Sequence, residues 1–227
     1  METKNNSRYF HRSFRLLYYG VPMAAVGAAV VFGKFFRRYN TIENAFTVLM
    51  AIGVLLILFF FVSAPRDSEY DRGIRRALAD IRAEAEAKIT ALEHTPHFME
   101  NYLAEGFVYG EGTSELKRGS DGIFRTDIYS ASQLIITLKR LYVYTVSLDT
   151  GSGEKKESFE PIAFDSIRSV SVKEDLFELT YKEKHGAIRR AFFCIVTDEA
   201  ELMMPTHNDA LADNMASRIM IRAEEKK

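Results

Sequence analysis

An uncharged run near the N-terminus constrains this chain more than any other feature of its sequence. Phe46–Val62 contains no charged residue and almost no polar one. Extended to Ala45–Ala64 it has twenty residues, and at about 1.5 Å per residue a helix of that length matches the roughly 30 Å hydrocarbon core of a bilayer. A buried helix of a soluble domain would show a polar face. The run therefore predicts a transmembrane helix.

A second apolar stretch precedes the first, at Leu16–Gly33. It contains Gly20, Gly27 and Pro22, and small residues are common where membrane helices pack closely. A cleaved signal peptide is the competing interpretation, since basic residues precede the stretch. The apolar stretch is long for the hydrophobic core of a signal peptide, however, and another span follows at once. The favoured prediction is a hairpin of two transmembrane helices, at about 16–33 and 45–64.

Charge divides the chain into two unlike parts. Residues 1–64 hold seven basic and two acidic side chains, whereas the rest of the chain holds 23 basic and 29 acidic ones. A basic, apolar head and an acidic, polar body are typical of a membrane anchor and an aqueous domain. The acidic balance of the body also argues against nucleic acid as a partner.

The distribution of Lys and Arg predicts the orientation of the hairpin. Four basic residues lie in the N-terminal tail (1–15) and five in the stretch that follows the second span, against three in the loop between the spans. Cytoplasmic flanks carry the excess of Lys and Arg. We therefore expect a multi-pass protein of the cell membrane with both termini in the cytoplasm.

Residues 65–95 are predicted to form a juxtamembrane helix, Arg66–Leu92, that ends before Pro96. An apolar stripe at helical spacing indicates packing on the chain's own soluble domain or along the bilayer. A dimeric coiled coil is the alternative, but its heptad would place Lys88 at an inward position. Four arginines near the membrane are candidate contacts for anionic head groups, although topology alone also explains them. They are Arg66, Arg72, Arg75 and Arg76.

The pattern changes to strands from about residue 105. β-Branched and aromatic runs alternate with turns such as Asp149–Glu157. An apolar stripe after Pro205, formed by Leu211, Met215 and Ile219, indicates a final helix. The predicted strands are Gly106–Gly110, Ile123–Tyr129, Gln133–Leu138, Leu141–Leu148, Ser158–Ile162, Ile167–Val172, Leu176–Tyr181 and Ala187–Val196. Six or more antiparallel strands followed by one helix predict an α+β domain over 105–223.

The strand-rich part resembles the pleckstrin-homology-like (PH-like) superfold, including its bacterial and GRAM-type branches. The resemblance lies in QLIITLKRLYVYTV (133–146), FDSIRSVSV (164–172) and the helix around Ala210–Arg222. It implies an antiparallel β-barrel or sandwich closed by the C-terminal helix, in a membrane-anchored bacterial protein. Members of the superfold mostly bind lipids, peptides or proteins. A phosphoinositide pocket would draw on Lys117, Arg118 and Arg125, but acidic residues interleave with them.

A search for reactive groups gives no catalytic set. No P-loop, dinucleotide fingerprint, nucleophile elbow or kinase motif is present. His94 and His97 flank Pro96, which breaks any helix that could align them on a metal. Cys194 lies in an apolar run and is expected to be a small buried residue. We therefore expect no enzyme activity, no cofactor and no metal.

These expectations point to a membrane-tethered binding or scaffolding module that acts through a PH-like cytosolic domain. Its expected partners are the lipid bilayer and either a protein or a second copy of the chain. Tethering raises the effective concentration for such partners. The alternative hypothesis is a small membrane enzyme or an accessory subunit of a transport complex, which would need a polar pocket where reactive groups converge.

Overall fold

The computed structural model of the chain contains two compact units, Ser7–Arg66 and Asp67–Lys227. It describes residues 9–10, 13–33, 40–110, 113, 115–181, 184–206 and 210–226. Most of the predicted basic tail lies outside the described residues, as do residues 34–39 of the loop predicted at 34–44.

The first unit contains the two helices expected from the apolar runs. Helix α1 is Arg15–Gly33 and helix α2 is Asn40–Val62. Each contains a 19-residue apolar segment, Arg15–Gly33 and Asn44–Val62, and by length and composition both segments could cross a membrane. Large side chains such as Phe32, Leu55 and Phe59 are exposed, which suits helices with hydrocarbon rather than water around them.

Small residues bring α1 and α2 into close contact. A Cβ atom added to Gly53 would lie 2.4 Å from the backbone nitrogen of Ala24, and one added to Gly27 would lie 2.7 Å from the backbone nitrogen of Met50. Both distances are far below van der Waals contact. Glycine at these two positions therefore sets the distance between the helices, as small residues do in membrane helix pairs.

Replacing Gly53 with valine is expected to destabilise the helix pair by about 2 kcal/mol, because the added side chain forces the two backbones apart. Thermal unfolding of the full-length protein in mild detergent, followed by far-ultraviolet circular dichroism, would measure the loss. The matched control is Ala51→Val on an exposed position of the same helix. Equal melting temperatures for the two variants would contradict the close-contact account.

The second unit begins with two helices where the sequence predicted one. Helix α3 is Asp67–Ala77 and helix α4 is Ile81–Leu92. The backbone N–H of Ile81 donates to the carbonyl of Leu78, and Lys155 Nζ donates to the carbonyl of Ala77 at 2.7 Å. The prediction of one continuous helix is wrong because these contacts take the carbonyls that would have continued it.

A four-stranded antiparallel sheet follows, with a short hairpin inserted after its first strand. The six strands are β1 Phe98–Phe107, β2 Leu116–Arg118, β3 Phe124–Thr126, β4 Ile128–Thr137, β5 Arg140–Asp149 and β6 Lys155–Ala163. The strand order in the sheet is β1-β4-β5-β6, and within the described residues β2 pairs only with β3.

A second, three-stranded antiparallel sheet and a final helix complete the unit. Strands β7 Ile167–Tyr181, β8 Lys184–Thr197 and β9 Glu201–Thr206 lie in that order, and helix α5 is Ala210–Glu225. Within the described residues the two sheets share no strand pair, so they do not close into a barrel. The predicted antiparallel sheets and C-terminal helix are present, whereas the closed barrel is not.

The core lies between the two sheets and α5. It contains Leu134, Ile136, Leu141 and Val143 from the first sheet, Phe193 and Ile195 from the second, and Met215 and Ile219 from α5. Met215 and Ile219 were predicted to form the apolar stripe of the final helix. Leu211 was also predicted in that stripe, but it is exposed because it lies on the outer side of the first turn.

Helix α4 covers the outer face of the first sheet. Its Ile81, Ala85 and Ile89 are buried, and the Tyr142 and Tyr144 hydroxyls donate to Glu93 (2.6 Å) and Glu84 (3.0 Å) at its two ends. Burial and the hydrogen bond to Glu93 raise the pKa of Tyr142 to about 12. The expectation that this stripe packs on the chain's own domain is confirmed.

Three strand predictions need correction. Strand β1 begins at Phe98 rather than Gly106, because its polar residues lie on an exposed edge and hide the strand pattern. Ile167–Val172 and Leu176–Tyr181 are one strand, since Lys173–Asp175 continue the pairing with β8. Strand β9 was not predicted because it contains Pro205, which an edge strand tolerates.

Candidate functional site

A cavity of about 330 Å³ lies within the second unit, where α3 meets both sheets. Such a volume is at the small end of ligand pockets. Its walls come from α3, the end of β1, the β2–β3 hairpin, and the adjacent parts of β8 and β9. Its apolar and aromatic lining residues are Ile74, Gly106, Phe107, Tyr109, Ile123, Tyr129, Ala191, Phe192 and Pro205; its remaining lining residues are Asp71, Arg75, Glu105, Arg125, Arg189, Arg190 and Thr206.

Arg125 joins the helical wall of the cavity to the inserted hairpin. Its guanidinium donates two hydrogen bonds to Asp71 on α3 (2.8 and 2.7 Å) and two to Asp121 in the hairpin turn (2.9 and 2.7 Å). The Arg125 side chain is only 2 % exposed, and a buried cation needs carboxylates such as those of Asp71 and Asp121 beside it. These paired, planar contacts are the geometry that arginine forms with carboxylates.

Other contacts of α3 hold the same wall in place. The backbone N–H and the hydroxyl of Ser120 both donate to Asp67, at 2.7 Å each. The Tyr70 hydroxyl donates to the carbonyl of Thr126 at 2.7 Å and lies 2.7 Å from the Thr150 hydroxyl oxygen. Burial raises the pKa of Tyr70, so it remains a neutral donor. Helix α3 is therefore fixed to the hairpin at three successive points.

Arg190 forms the opposite wall of the cavity. Its guanidinium lies over the rings of Phe177 (4.8 Å) and Phe192 (5.2 Å), pairs with Asp175, and donates to the carbonyl of Tyr109 at 3.2 Å. Its Nε is buried and, within the described part of the chain, has no hydrogen-bond partner. Arginine between aromatic faces makes a flat, cationic wall.

One of the two acidic side chains that line the cavity is engaged in an ion pair. Asp71 is held by Arg125, whereas Glu105 lies close to Tyr129, whose pKa is raised by burial and by the negative charge of Glu105. Burial raises the pKa of Tyr109 to about 12. Both tyrosines are thus neutral near pH 7, and neither acts as a base there.

Two arginines at the cavity keep most of their positive charge available. Arg75 is exposed on α3 and forms no ion pair with any described residue. The Arg189 side chain on β8 is 75 % exposed, and its guanidinium lies 3.8 Å from the Glu174 carboxylate. A contact of that length at the surface is weak. The arrangement is suited to binding an anion beside aromatic surface.

The four arginines predicted to contact the membrane are all exposed, but their surroundings differ. Arg75 lines the cavity, whereas Arg66, Arg72 and Arg76 do not. Contact of these four with lipid head groups stays a prediction. Arg75 was predicted to lie near the membrane because it closely follows the second apolar run, and four-residue spacing along α3 also places it beside Asp71.

The other singled-out residues are dispersed. Arg125, a phosphoinositide candidate, is instead buried in ion pairs. Cys194 is buried as predicted, and burial raises its pKa. His94 and His97 are exposed, and the described residues contain no group of three potential metal ligands. No local sequence signal marks the stacking of Arg190 between two phenylalanines.

The pKa of Asp121 gives a test of the Arg125 cluster. Hydrogen bonds from Arg125 lower it from the ordinary 3.8 to about 2, so its carboxylate stabilises the folded domain above about pH 4, and this contribution is lost as the pH falls through about 2. Carbon-detected NMR titration of Asp121 would measure it. In the Arg125→Met variant the pKa should return toward 3.8; an unchanged value would contradict the assigned cause.

Comparison of the chain with models of known protein families, with curated proteins and with solved structures gives no match.

Proposed function

We propose that this chain is a membrane-tethered binding module whose PH-like domain captures a partner through the cavity between α3 and the two sheets. The observation that carries the proposal is the combination of Arg75 and Arg189, which keep their charge, with an aromatic wall around 330 Å³ of space. Convergent polar groups in a largely apolar pocket are the usual form of a binding site.

The order of the strands supports the PH-like part of the proposal. Four antiparallel strands are followed by three more and then by one helix. Helix α5 packs against β7, the turn Phe164–Ser166 and β1. The β2–β3 hairpin is then an insertion between the first two long strands. This is the succession of elements expected of a PH-like domain, although within the described residues β6 does not pair with β7 and β1 does not pair with β9.

The tethering part of the proposal rests on α1 and α2. We propose that both span the cell membrane and that the excess of Lys and Arg on their outer flanks keeps both chain termini in the cytoplasm. The domain then samples only the volume next to one bilayer, which raises its encounter rate with membrane-bound partners. A protein partner and self-association both fit this arrangement.

A photo-crosslinking experiment tests the binding module. Replacing Ile123, which lines the cavity and is 52 % exposed, with p-benzoylphenylalanine should give adducts on irradiation of native membranes. The matched control is the same replacement at Leu138, which is 53 % exposed on the turn between β4 and β5. Adducts with a second copy would identify self-association, and adducts with another molecule would identify a partner.

Equal adduct yields at positions 123 and 138, or none at either, would contradict the proposal. The Arg75→Gln/Arg189→Gln double variant should reduce the yield at position 123, because the retained cations hold the partner there. The cavity offers arginine, tyrosine and carboxylate groups that are largely engaged with one another. That composition favours binding over the alternative of a small membrane enzyme.

A further inference from the structure

We infer that the cavity takes a long-chain fatty acid, with the carboxylate held by Arg75 and Arg189 and part of the hydrocarbon chain lying against the aromatic wall. This inference rests on the proposed function and names its ligand class. Four observations lead to it: the sign of the available charge, its small amount, the apolar lining, and the state of the backbone at the wall.

The available charge is positive because two arginines without a close ion pair face one such carboxylate, that of Glu105. Asp71 is paired with Arg125, whereas Glu105 forms no ion pair with a described residue. Arg75 has no ion pair within the described residues, and Arg189 has only the 3.8 Å contact. Guanidinium groups bind carboxylates through paired hydrogen bonds. An anion is therefore the ligand that these two side chains can recognise.

The amount of available charge favours a single negative charge. Arg125 and Arg190 are already neutralised by Asp71, Asp121 and Asp175. The carboxylate of Glu105 remains close to the cavity and would repel a multiply charged phosphate more strongly than a carboxylate. A monoanion thus matches the positive charge of Arg75 and Arg189 that remains beside the Glu105 carboxylate.

The wall formed by β8 favours a hydrocarbon chain over a peptide. Strand β8 is paired on both sides: Ala191 lies opposite Glu174 and Thr206, and Phe192 lies opposite Lys173 and Pro205. Its backbone groups are therefore used within the sheet and cannot receive a peptide strand. What this wall offers is side-chain surface, chiefly aromatic rings, whose contact with methylene groups is favourable.

Photolabelling of the full-length protein in lipid nanodiscs tests the inference. The probe is a sixteen-carbon fatty acid with a mid-chain diazirine, and labelled peptides are mapped by mass spectrometry. We expect adducts on the cavity wall at Ile123, Phe192 or Pro205. The Arg75→Gln/Arg189→Gln variant should lower that yield about tenfold, the effect of losing one charge-assisted hydrogen bond or more. The Arg72→Gln/Arg76→Gln control removes two exposed arginines outside the cavity and should leave the yield unchanged.

The inference would be overturned by adducts confined to α1 and α2, by equal labelling of the cavity by the alcohol of the same chain length, or by equal yields from the two double variants. Preferential labelling by a diazirine lysophospholipid would overturn it too, because the site would then select phosphate. A protein captured at position 123 without fatty-acid labelling of the cavity would overturn the ligand class and leave the binding module intact.

Discussion

Replacing Arg125 with methionine is expected to lower the free energy of unfolding of the domain by about 4 kcal/mol. The substitution removes four charge-assisted hydrogen bonds and leaves Asp71 and Asp121 facing each other without a cation. Because Arg125 is 2 % exposed, water cannot take its place without opening the contact between α3 and the hairpin. Urea denaturation in mild detergent, followed by far-ultraviolet circular dichroism, would measure the change.

The control for this prediction is Arg168→Met. Arg168 also pairs with an aspartate, Asp198, but its side chain is 66 % exposed, and exposed pairs contribute about 1 kcal/mol or less. A lysine at position 125 should fall between wild type and the methionine variant, since one ammonium group cannot form paired contacts with two carboxylates. Equal losses for Arg125→Met and Arg168→Met would show that burial does not strengthen the cluster.

The second large effect is expected at Ile89, whose replacement with alanine should cost about 3 kcal/mol. Ile89 is fully buried between α4 and the first sheet, so truncation removes apolar contact and leaves a cavity. The same denaturation experiment measures the loss. Leu92→Ala is the matched control, because Leu92 lies on the same helix and is 61 % exposed.

A loss below about 1 kcal/mol at Ile89, or an equal loss at Leu92, would mean that α4 does not contribute to the fold as described. The surrounding contacts argue against that outcome. Lys88 pairs with Glu157 of β6 at 3.0 Å and lies 4.8 Å from the centre of the Tyr144 ring. The lysine that counted against a coiled coil thus serves the packing of α4 on the sheet.

The parts of the fold that were predictable are those set by local composition. The uncharged run that became α2 is apolar over its whole length, and the central strands β4 and β5 are rich in β-branched and aromatic residues, so neighbouring residues suffice to identify them. Edge strands are different. In β1 and β9 one side faces away from the core, and the polar residues there, with Pro205, remove the local pattern.

The candidate site was less predictable because its parts are distant in sequence. Arg125 meets Asp71 across 54 positions, and Arg190 contacts Tyr109 across 81. A sequence shows that arginines and aspartates are abundant, but only the fold decides which pairs neutralise one another. Arg75 and Arg189 can be recognised as the arginines that keep their positive charge only when the ion pairs of Arg125 and Arg190 are known.

The way α4 covers the first sheet decides where the second unit can be cut from the first. A protease acting within Ser63–Arg66 would release a piece that keeps α3 and α4 and so remains folded. Cleavage at 93–97 would leave both helices behind and expose Tyr142, Tyr144 and Val146 to water. Recombinant fragments should for the same reason start at Asp67. A fragment that started at residue 105, inside β1, would expose this apolar face and aggregate.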